Sequence, residues 1–388
     1  MMTDLKICNR CIMDTTAPDI VFDQNGNCNY CSNFIATHSK HIATDEAQRQ
    51  QRLSSLVDFV KQSGRGKKYD CIVGLSGGVD SSWALVQAIK LGLRPLAVHM
   101  DSGWNSELAQ NNISNIVSKL GVDLHTHVIN WPEIRGLMNS FFDADVIDVE
   151  VLYDNAMLAV NYQLAAKYGL KYILAGTNIA TEGIDIPKSW NWYKSDKRNI
   201  KGISKQFGGP TLKTFPAIST LDTARYVLLN RIHWVSFLDY LDYKKFDAIE
   251  VLKRDYNYKP YLHKHYESIF TRFYQGYILP NKFDVDKRKP HLSSLIMTGE
   301  LTREEALRQA AGIAYPSEKD MESDRLYFIK KMGWTEQKFM DYMARPEKPH
   351  SDYPSEVLLY RRLLNLYRRL NLKIGRLTWS SQSKAVNL

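Results

Sequence analysis

The chain lacks any run approaching the ~18 consecutive apolar residues a membrane helix needs, so no membrane span is expected. Its opening, Met1-Met2-Thr3-Asp4-Leu5-Lys6, lacks the apolar centre of a secretory leader, and a cytoplasmic protein is expected. Internal repeats and low-complexity tracts are absent, which sets repeat arrays aside. Cysteine is scarce, five among 388 residues, and four of the five are paired close together near the start. The fifth, Cys71, sits within an apolar run and reads as a small buried hydrophobe. Outside the paired set, then, the chain offers no thiol for nucleophilic work. Composition excludes less. With 24% charged and 44% hydrophobic residues, this is an ordinary soluble globular chain, long enough for two or three domains. The net charge of +9 would suit nucleic acid, anionic small molecules or simple solubility, and decides nothing alone.

The four paired cysteines are Cys8-x-x-Cys11 and Cys28-x-x-Cys31, with 16 residues between the pairs. Two tight knuckles at that spacing make a four-thiolate metal site, with Zn2+ the expected ion and an iron–sulfur cluster the alternative. Asp23-Gln24-Asn25-Gly26-Asn27 supplies a hairpin between them. Four thiolates leave no open coordination position, so the site is expected to be structural. A segment this short buries little core, and metal binding worth about 10–16 kcal/mol can supply its fold.

Tyr69 to Ser82 reads Tyr-Asp-Cys-Ile-Val-Gly-Leu-Ser-Gly-Gly-Val-Asp-Ser-Ser. A short apolar, β-branched run ends in Ser76-Gly77-Gly78, and a helical pattern starts near Asp80. Strand, glycine turn and helix start aim free backbone N–H groups and the positive end of a helix dipole at one point, which is a phosphate site. Adjacent glycines allow close backbone approach, and Ser76, Ser81 and Ser82 add hydroxyl donors. No Gly-Lys-Ser/Thr follows, so it is not a Walker A loop, and G-x-G-x-x-G is missing. Gly74-Leu75-Ser76-Gly77-Gly78 also fits the G-x-S-x-G nucleophile elbow, but an elbow needs several strands before it and only one precedes Ser76.

Residues 1–40 are read as the zinc-binding module and 41–66 as a linker helix. Residues 67–225 alternate strands (70–75, 95–100, 124–129, 171–176) with helices (80–91, 106–120, 133–145, 154–168). That is the pattern of an α/β doubly wound parallel sheet. Strands are expected to stop near 225, leaving a helical region over 226–345. Arg345-Pro346-Glu347-Lys348-Pro349 reads as a linker, and 346–388 as linker plus a basic amphipathic tail helix from Glu356 to Leu372. That helix would serve packing or a homo-oligomer contact, with a membrane surface or RNA as alternatives.

Ser-Gly-Gly-Val-Asp-Ser at 76–81 resembles the S-G-G-x-D-S pyrophosphate loop of the PP-loop ATP pyrophosphatases, which transfer AMP from ATP to an oxygen of the substrate. Cys-Asn-Arg-Cys-Ile-Met-Asp-Thr-Thr at 8–16, Gly176-Thr177-Asn178-Ile179-Ala180-Thr181-Glu182-Gly183 and Asp286-Lys287-Arg288-Lys289-Pro290-His291-Leu292-Ser293-Ser294-Leu295 narrow this. Together, over about residues 5–345, they resemble the N-acetyl sugar amidotransferase family, which makes acetamidino sugars for lipopolysaccharide O-antigen or flagellin glycans. The resemblance implies an AMP-forming enzyme that activates the acetamido oxygen of an N-acetylated, nucleotide-linked sugar with ATP and adds ammonia. With no spare cysteine for a sulfur carrier or an N-terminal glutaminase, ammonia is expected from a separate glutaminase subunit, and the resemblance implies glutaminase/cyclase-like subunits as partners. No nucleic-acid partner is expected, although a tRNA-modifying PP-loop enzyme is the alternative reading, and a non-catalytic metal-bound partner protein a third. The implied ATP-binding residues are Ser76, Gly77, Gly78, Asp80, Ser81, Ser82, Asp101, Gly176 and Asn178, with Mg2+ assisted by Asp80. Glu182 joins Asp80 as a candidate catalytic or metal-binding carboxylate. Lys213, Arg288 and His291 are candidate substrate-binding residues, the forked guanidinium being the better carboxylate clamp.

Overall fold

A computed structural model describes residues 5–42, 45–261, 264 and 266–369. Five strands form one all-parallel sheet: β1 (Cys71–Gly74), β2 (Pro95–Asp101), β3 (Leu124–Val128), β4 (Tyr172–Ala175) and β5 (His233–Ser236), in spatial order β3-β2-β1-β4-β5. The order reverses at β1, which pairs with β2 on one side (Val73 opposite Ala97) and with β4 on the other (Val73 opposite Leu174). Ligands of open α/β sheets bind beyond the strand carboxyl ends at such a reversal.

The central strand is short, apolar and buried because both faces are covered. Successive side chains point to opposite faces. Cys71 and Val73 meet Leu53, Val57 and Val60 of α2 (Glu46–Ser63) and Leu85 of α3 (Val79–Lys90). Ile72 faces Leu158, Tyr162 and Leu164 of α6 (Val151–Lys167). The helix within the 41–66 segment is therefore a packed layer of the sheet rather than a linker. Cys71 is buried within this layer, as its sequence context predicts.

A third and larger core joins α1 (Asn29–Ile42), α5 (Trp131–Asp143) and the C-terminal helices, with Phe142 edge-on to Phe270, Phe328, Trp334 and Tyr342. Between α3 and α5 in the chain, α4 (Glu107–Leu120) closes the β2–β3 crossover. It is capped by Ser106 and ended by Gly121 at φ 62°.

Two further expectations need correction. Strands do not stop at 225: His233-Trp234-Val235-Ser236 adds β5 at the sheet edge, in register with Tyr172–Ala175. Four residues amid a tyrosine-rich helical pattern are too few to show a period-2 signal. Residues 345–353 are not a free linker either. Arg345 pairs with Asp145 (2.9 Å), the Lys348 N–H donates to the Asp145 carbonyl (3.0 Å), and His350 is buried between Asp148 and Asn199. This strap leads to the tail helix, described over Val357–Arg369, which rests Val357 and Tyr360 on Tyr193 and leaves Leu358 and Leu366 exposed. The tail expectation beyond residue 369 lies outside the described residues.

Candidate active site

The loop after β1 folds back on itself. Gly77 takes φ +87°, a region that glycine enters freely, and a Cβ there would lie 2.9 Å from the Ala109 carbonyl. Ser76 N–H donates to Ser81 Oγ (3.2 Å), the Ser76 and Ser81 hydroxyls are 3.1 Å apart, and the Gly78 N–H donates to Ser76 Oγ (3.2 Å). Gly78 is the N-cap of α3 and has no side chain to cap it. The first-turn N–H groups therefore point into the loop, the arrangement that favours an anion. At the end of β4, Gly176 presses against the start of α3. A Cβ there would sit 2.7 Å from both Asp80 C and Ser81 N, so only glycine allows this approach.

These elements open on a cavity of about 390 Å3, lined by Ser76, Gly78, Asp80 and Ser81 from the loop, His99 and Ser102 from the end of β2, and Gly176 and Thr177 from the end of β4. A second cavity of about 320 Å3 carries Trp192, Tyr193, Lys194, Gln275, Lys287 and His291. The two share a wall that includes Tyr153, Asp154, Thr177, Glu182 and Glu267. The space at the loop and a polar, aromatic-lined space thus meet at Thr177 and Glu182.

Asp80 lies at the meeting point of the charges. It accepts from the Tyr243 hydroxyl and from Thr181 Oγ1 (3.2 Å), and pairs with Lys264 Nζ at 2.8 Å. Burial alone would raise the Asp80 carboxyl, but Lys264 and the Tyr243 hydroxyl hold it below the usual carboxylate range. Burial pushes Glu267 up and Lys245 down from their ordinary values. His99, held between the Leu75 carbonyl (2.9 Å) and Asn105 Nδ2 (2.8 Å), is also pushed down by burial.

The structure gathers some of the sequence-predicted residues and not others. Ser76, Gly78, Asp80, Ser81 and Gly176 line the first cavity, and Glu182 lines both. Gly77 shapes the loop from behind, and Ser82 is fully buried, outside the cavity wall. Asp101 organises its own turn, accepting from the Gly103 N–H (2.8 Å) and Asn105 Nδ2 (3.1 Å). Asn178 caps α7 (Ile179–Glu182) through the Thr181 N–H and lines the second cavity rather than the first. His291 is at the second cavity, with Nδ1 3.1 Å from the Thr181 carbonyl. Lys213 and Arg288 lie outside both cavities. Lys213 is exposed and its backbone N–H is held by Glu133 (2.6 Å). The Arg288 fork is taken by Asp286 (2.8 Å) and the Gly312 carbonyl (3.1 Å).

Lys264, Tyr243 and Glu267 are site residues that the sequence does not reveal. They sit far along the chain, in no recognisable spacing to the loop. The one signal is the basic run His263-Lys264-His265 after a tyrosine-rich stretch.

The four-cysteine cluster is a separate site. Its sulfurs all lie within 4.8 Å of one another, with Cys8 to Cys31 at 3.9 Å and Cys11 to Cys28 at 3.7 Å. Those separations are far too long for disulfides. They match the ~3.8 Å edge of a tetrahedron with metal–sulfur bonds of about 2.3 Å. Backbone N–H groups of Arg10, Cys28 and Met13 point at the sulfurs, at 3.4, 3.2 and 3.4 Å, as suits thiolates. The residues therefore fit a four-coordinate metal.

This module is clamped to the active site. Arg303 holds the Cys8 and Cys11 carbonyls (2.9 and 3.1 Å), and the Ile12 N–H reaches Ser293 Oγ (3.3 Å) on helix Arg288–Met297. The next residue of that helix, Ser294, accepts from the Ile184 N–H (3.0 Å) just beyond α7.

Two family models match the chain: NAD synthase over residues 50–184, and the C-terminal domain of WbpG-like LPS biosynthesis proteins over residues 267–368. No curated protein sequence matches it. Similar solved structures include NMN synthetase from Francisella tularensis, at 17% identity and a TM-score of 0.28, covering 56% of this chain and 99% of that one. Another is the NH3-dependent NAD synthetase from Campylobacter jejuni subsp. jejuni NCTC 11168, at 16% identity and a TM-score of 0.28, covering 54% and 93%. A third is the glutamine-dependent NAD+ synthetase from Acinetobacter baumannii, at 16% identity and a TM-score of 0.32, covering 68% and 43%. The chain thus joins a region similar to NAD synthase, over residues 50–184, to one similar to the C-terminal domain of WbpG-like LPS biosynthesis proteins, over residues 267–368.

Proposed function

We propose that this protein converts the acetamido group of an N-acetylated, nucleotide-linked sugar into an acetamidino group, using ATP and ammonia, for lipopolysaccharide biosynthesis. The observation that carries the reading is the shared wall: the phosphate-loop cavity and a second cavity rich in aromatic and polar groups open on each other at Thr177 and Glu182. The WbpG-like match over residues 267–368, which include Gln275, Lys287 and His291 of the second cavity, supports a sugar there.

The reaction follows from the chemistry of an amide. Its carbonyl carbon is a poor electrophile and its oxygen a poor leaving group. The amide oxygen attacks the α-phosphorus of ATP and pyrophosphate departs, leaving an O-adenylated imidate. Ammonia then adds to the imidate carbon, gives up a proton, and AMP leaves with the former amide oxygen. The products are amidine, AMP and pyrophosphate.

Ser76, Ser81 and the first-turn N–H groups of α3 hold the departing pyrophosphate, where aligned donors stabilise charge as it develops. Asp80 and Glu182 supply hard oxygen donors that would hold Mg2+. When bound, that ion neutralises charge on the phosphates. Gly176 and Thr177 border the adenylate, and Gln275, Lys287 and His291 at the second cavity hold the sugar.

The cysteine cluster is read as a structural Zn2+ site: Cys8, Cys11, Cys28 and Cys31 fill all four positions and leave none for substrate. Ammonia comes from a separate glutaminase subunit, since Cys71 is buried in the sheet and the other four cysteines form the cluster.

Incubation with ATP, ammonium and a panel of N-acetylated nucleotide sugars tests the proposal. One sugar should lose about one mass unit as oxygen is replaced by NH, with AMP appearing in equal amount. ADP as the nucleotide product, or AMP formed without any sugar change, would count against it.

A further inference from the structure

A lysine ammonium is seated between the two candidate metal-binding carboxylates. Lys264 Nζ lies 2.8 Å from Asp80 Oδ2, 2.7 Å from Glu182 Oε1 and 2.7 Å from Thr181 Oγ1. The Lys264 and Asp80 side chains are only 13% and 15% exposed. Three oxygens converge on one nitrogen, and all are hard donors of the kind that binds Mg2+. The ammonium occupies the place such an ion would take.

We propose that Lys264 is a displaceable counter-ion. In the nucleotide-free protein it neutralises Asp80 and Glu182, and a divalent cation arriving with ATP takes its place and releases the ammonium toward the phosphates. This rests on reading the Ser76–Ser81 loop as the pyrophosphate site.

Three physical points carry it. Two carboxylates on either side of one small space, Asp80 15% and Glu182 32% exposed, repel unless a cation lies between them. Removing one partner of a buried charge pair is unfavourable, so Asp80, the more buried carboxylate, favours either the ammonium or a metal beside it. An ammonium and a divalent ion cannot both sit on the same oxygens, because each needs direct contact with them. Lysine also suits such an exchange. Its charge is compact and its four-carbon stem flexible, whereas a guanidinium fork would stay locked on a carboxylate. Lys264 lines the same cavity as Ser76 and Ser81, so the released ammonium remains beside the phosphates.

The test uses Mn2+ as a paramagnetic probe, titrated into the nucleotide-free full chain and followed by electron paramagnetic resonance. Lys264→Gln should bind one Mn2+ about tenfold more tightly than the unaltered protein, because the competing cation is gone. Lys264→Arg should bind no better than the unaltered protein, and Asp80→Asn added to Lys264→Gln should abolish the gain. Mn2+ should also raise the melting temperature of Lys264→Gln and leave that of the unaltered protein nearly unchanged. Equal Mn2+ affinity in the unaltered and Lys264→Gln proteins would overturn the proposal. So would a gain that survives Asp80→Asn, or a Lys264→Gln chain that stays unfolded even with Mn2+ present. Equilibrium binding of ATP by the unaltered protein, measured alongside, tests the loop separately. Its absence with the Mn2+ pattern intact would sink the loop assignment, and with it the release toward the phosphates, while the exchange of Lys264 for a divalent cation would stand.

Discussion

At the scale of single residues, the site depends on two kinds of position: those with no room and those with charge to balance. Gly176 is the first kind. A methyl group there meets the Asp80 and Ser81 backbone at 2.7 Å, and neither is free to move without shifting the phosphate loop. Gly176→Ala should cost about 1–3 kcal/mol of stability, the usual penalty of overpacking. It should also raise the KM for ATP; denaturant unfolding and initial-rate kinetics measure the two. Asp80 is the second kind. Asp80→Asn keeps the shape and removes the charge, and should slow sugar-dependent AMP formation about 10²–10³-fold, the range for losing one electrostatic contact in an active site. The loop residues are legible because the motif is contiguous: all its donors fall within Ser76 to Ser82. Lys264 is not, because its partner Asp80 is 184 residues away and sequence spacing carries no such information. Arg288 misleads for a related reason. Its residue type suits a carboxylate substrate, but Asp286, two positions earlier, already takes the fork.

At the scale of elements, helix Arg288–Met297 relays the cysteine module to the active site. Ser293 takes the Ile12 N–H, Ser294 takes the Ile184 N–H, and His291 reaches the Thr181 carbonyl. Stripping metal with a chelator, or Cys28→Ser, should therefore loosen α7 as well as the module itself. Hydrogen exchange should speed up at residues 179–184 along with residues 8–31; exchange confined to 8–31 would contradict the relay.

The strap around His350 makes a second prediction at this scale. Burial pushes the folded-state pKa of His350 down to about 3, from an ordinary value of 6.5. Asp148 beside it opposes that shift and Lys194 adds to it. Between those pH values the unfolded chain binds a proton that the folded chain does not, so stability falls as pH drops from about 6.5 toward 3 and is unaffected by this group above that window. The loss should be on the order of a few kcal/mol. His350→Asn should flatten this part of the melting temperature–pH curve; an unchanged slope would contradict the assignment. The cysteine spacing and the first four strands are readable, since each is a local pattern. β5 and the strap are not, because the strand is only four residues long and the strap is fixed by contacts to Asp145 and Asp148 from another part of the chain.

At the scale of the whole molecule, the alternation of strands and helices points to the doubly wound sheet, and the short loop marks the place where ligands gather. Of the second cavity the sequence anticipates Asn178, Glu182 and His291 but not the rest of the wall, which is assembled from α6, the segment after α7 and the C-terminal helices with no contiguous motif. On the proposed reading this space beside the loop holds the acceptor sugar. Ammonium, and not glutamine alone, should support turnover by the purified chain, because its cysteines are engaged in the cluster or buried in β1. Amidine formation from glutamine without a second protein would refute the need for a separate glutaminase.

The most direct measurement follows the amide oxygen. An N-acetylated nucleotide-sugar substrate labelled with 18O in its acetamido carbonyl is turned over with ATP and ammonium, and the products are weighed by mass spectrometry. The label should appear in AMP, one atom per amidine formed. Label in inorganic phosphate beside ADP, or retained in the sugar, would contradict adenylation of the amide.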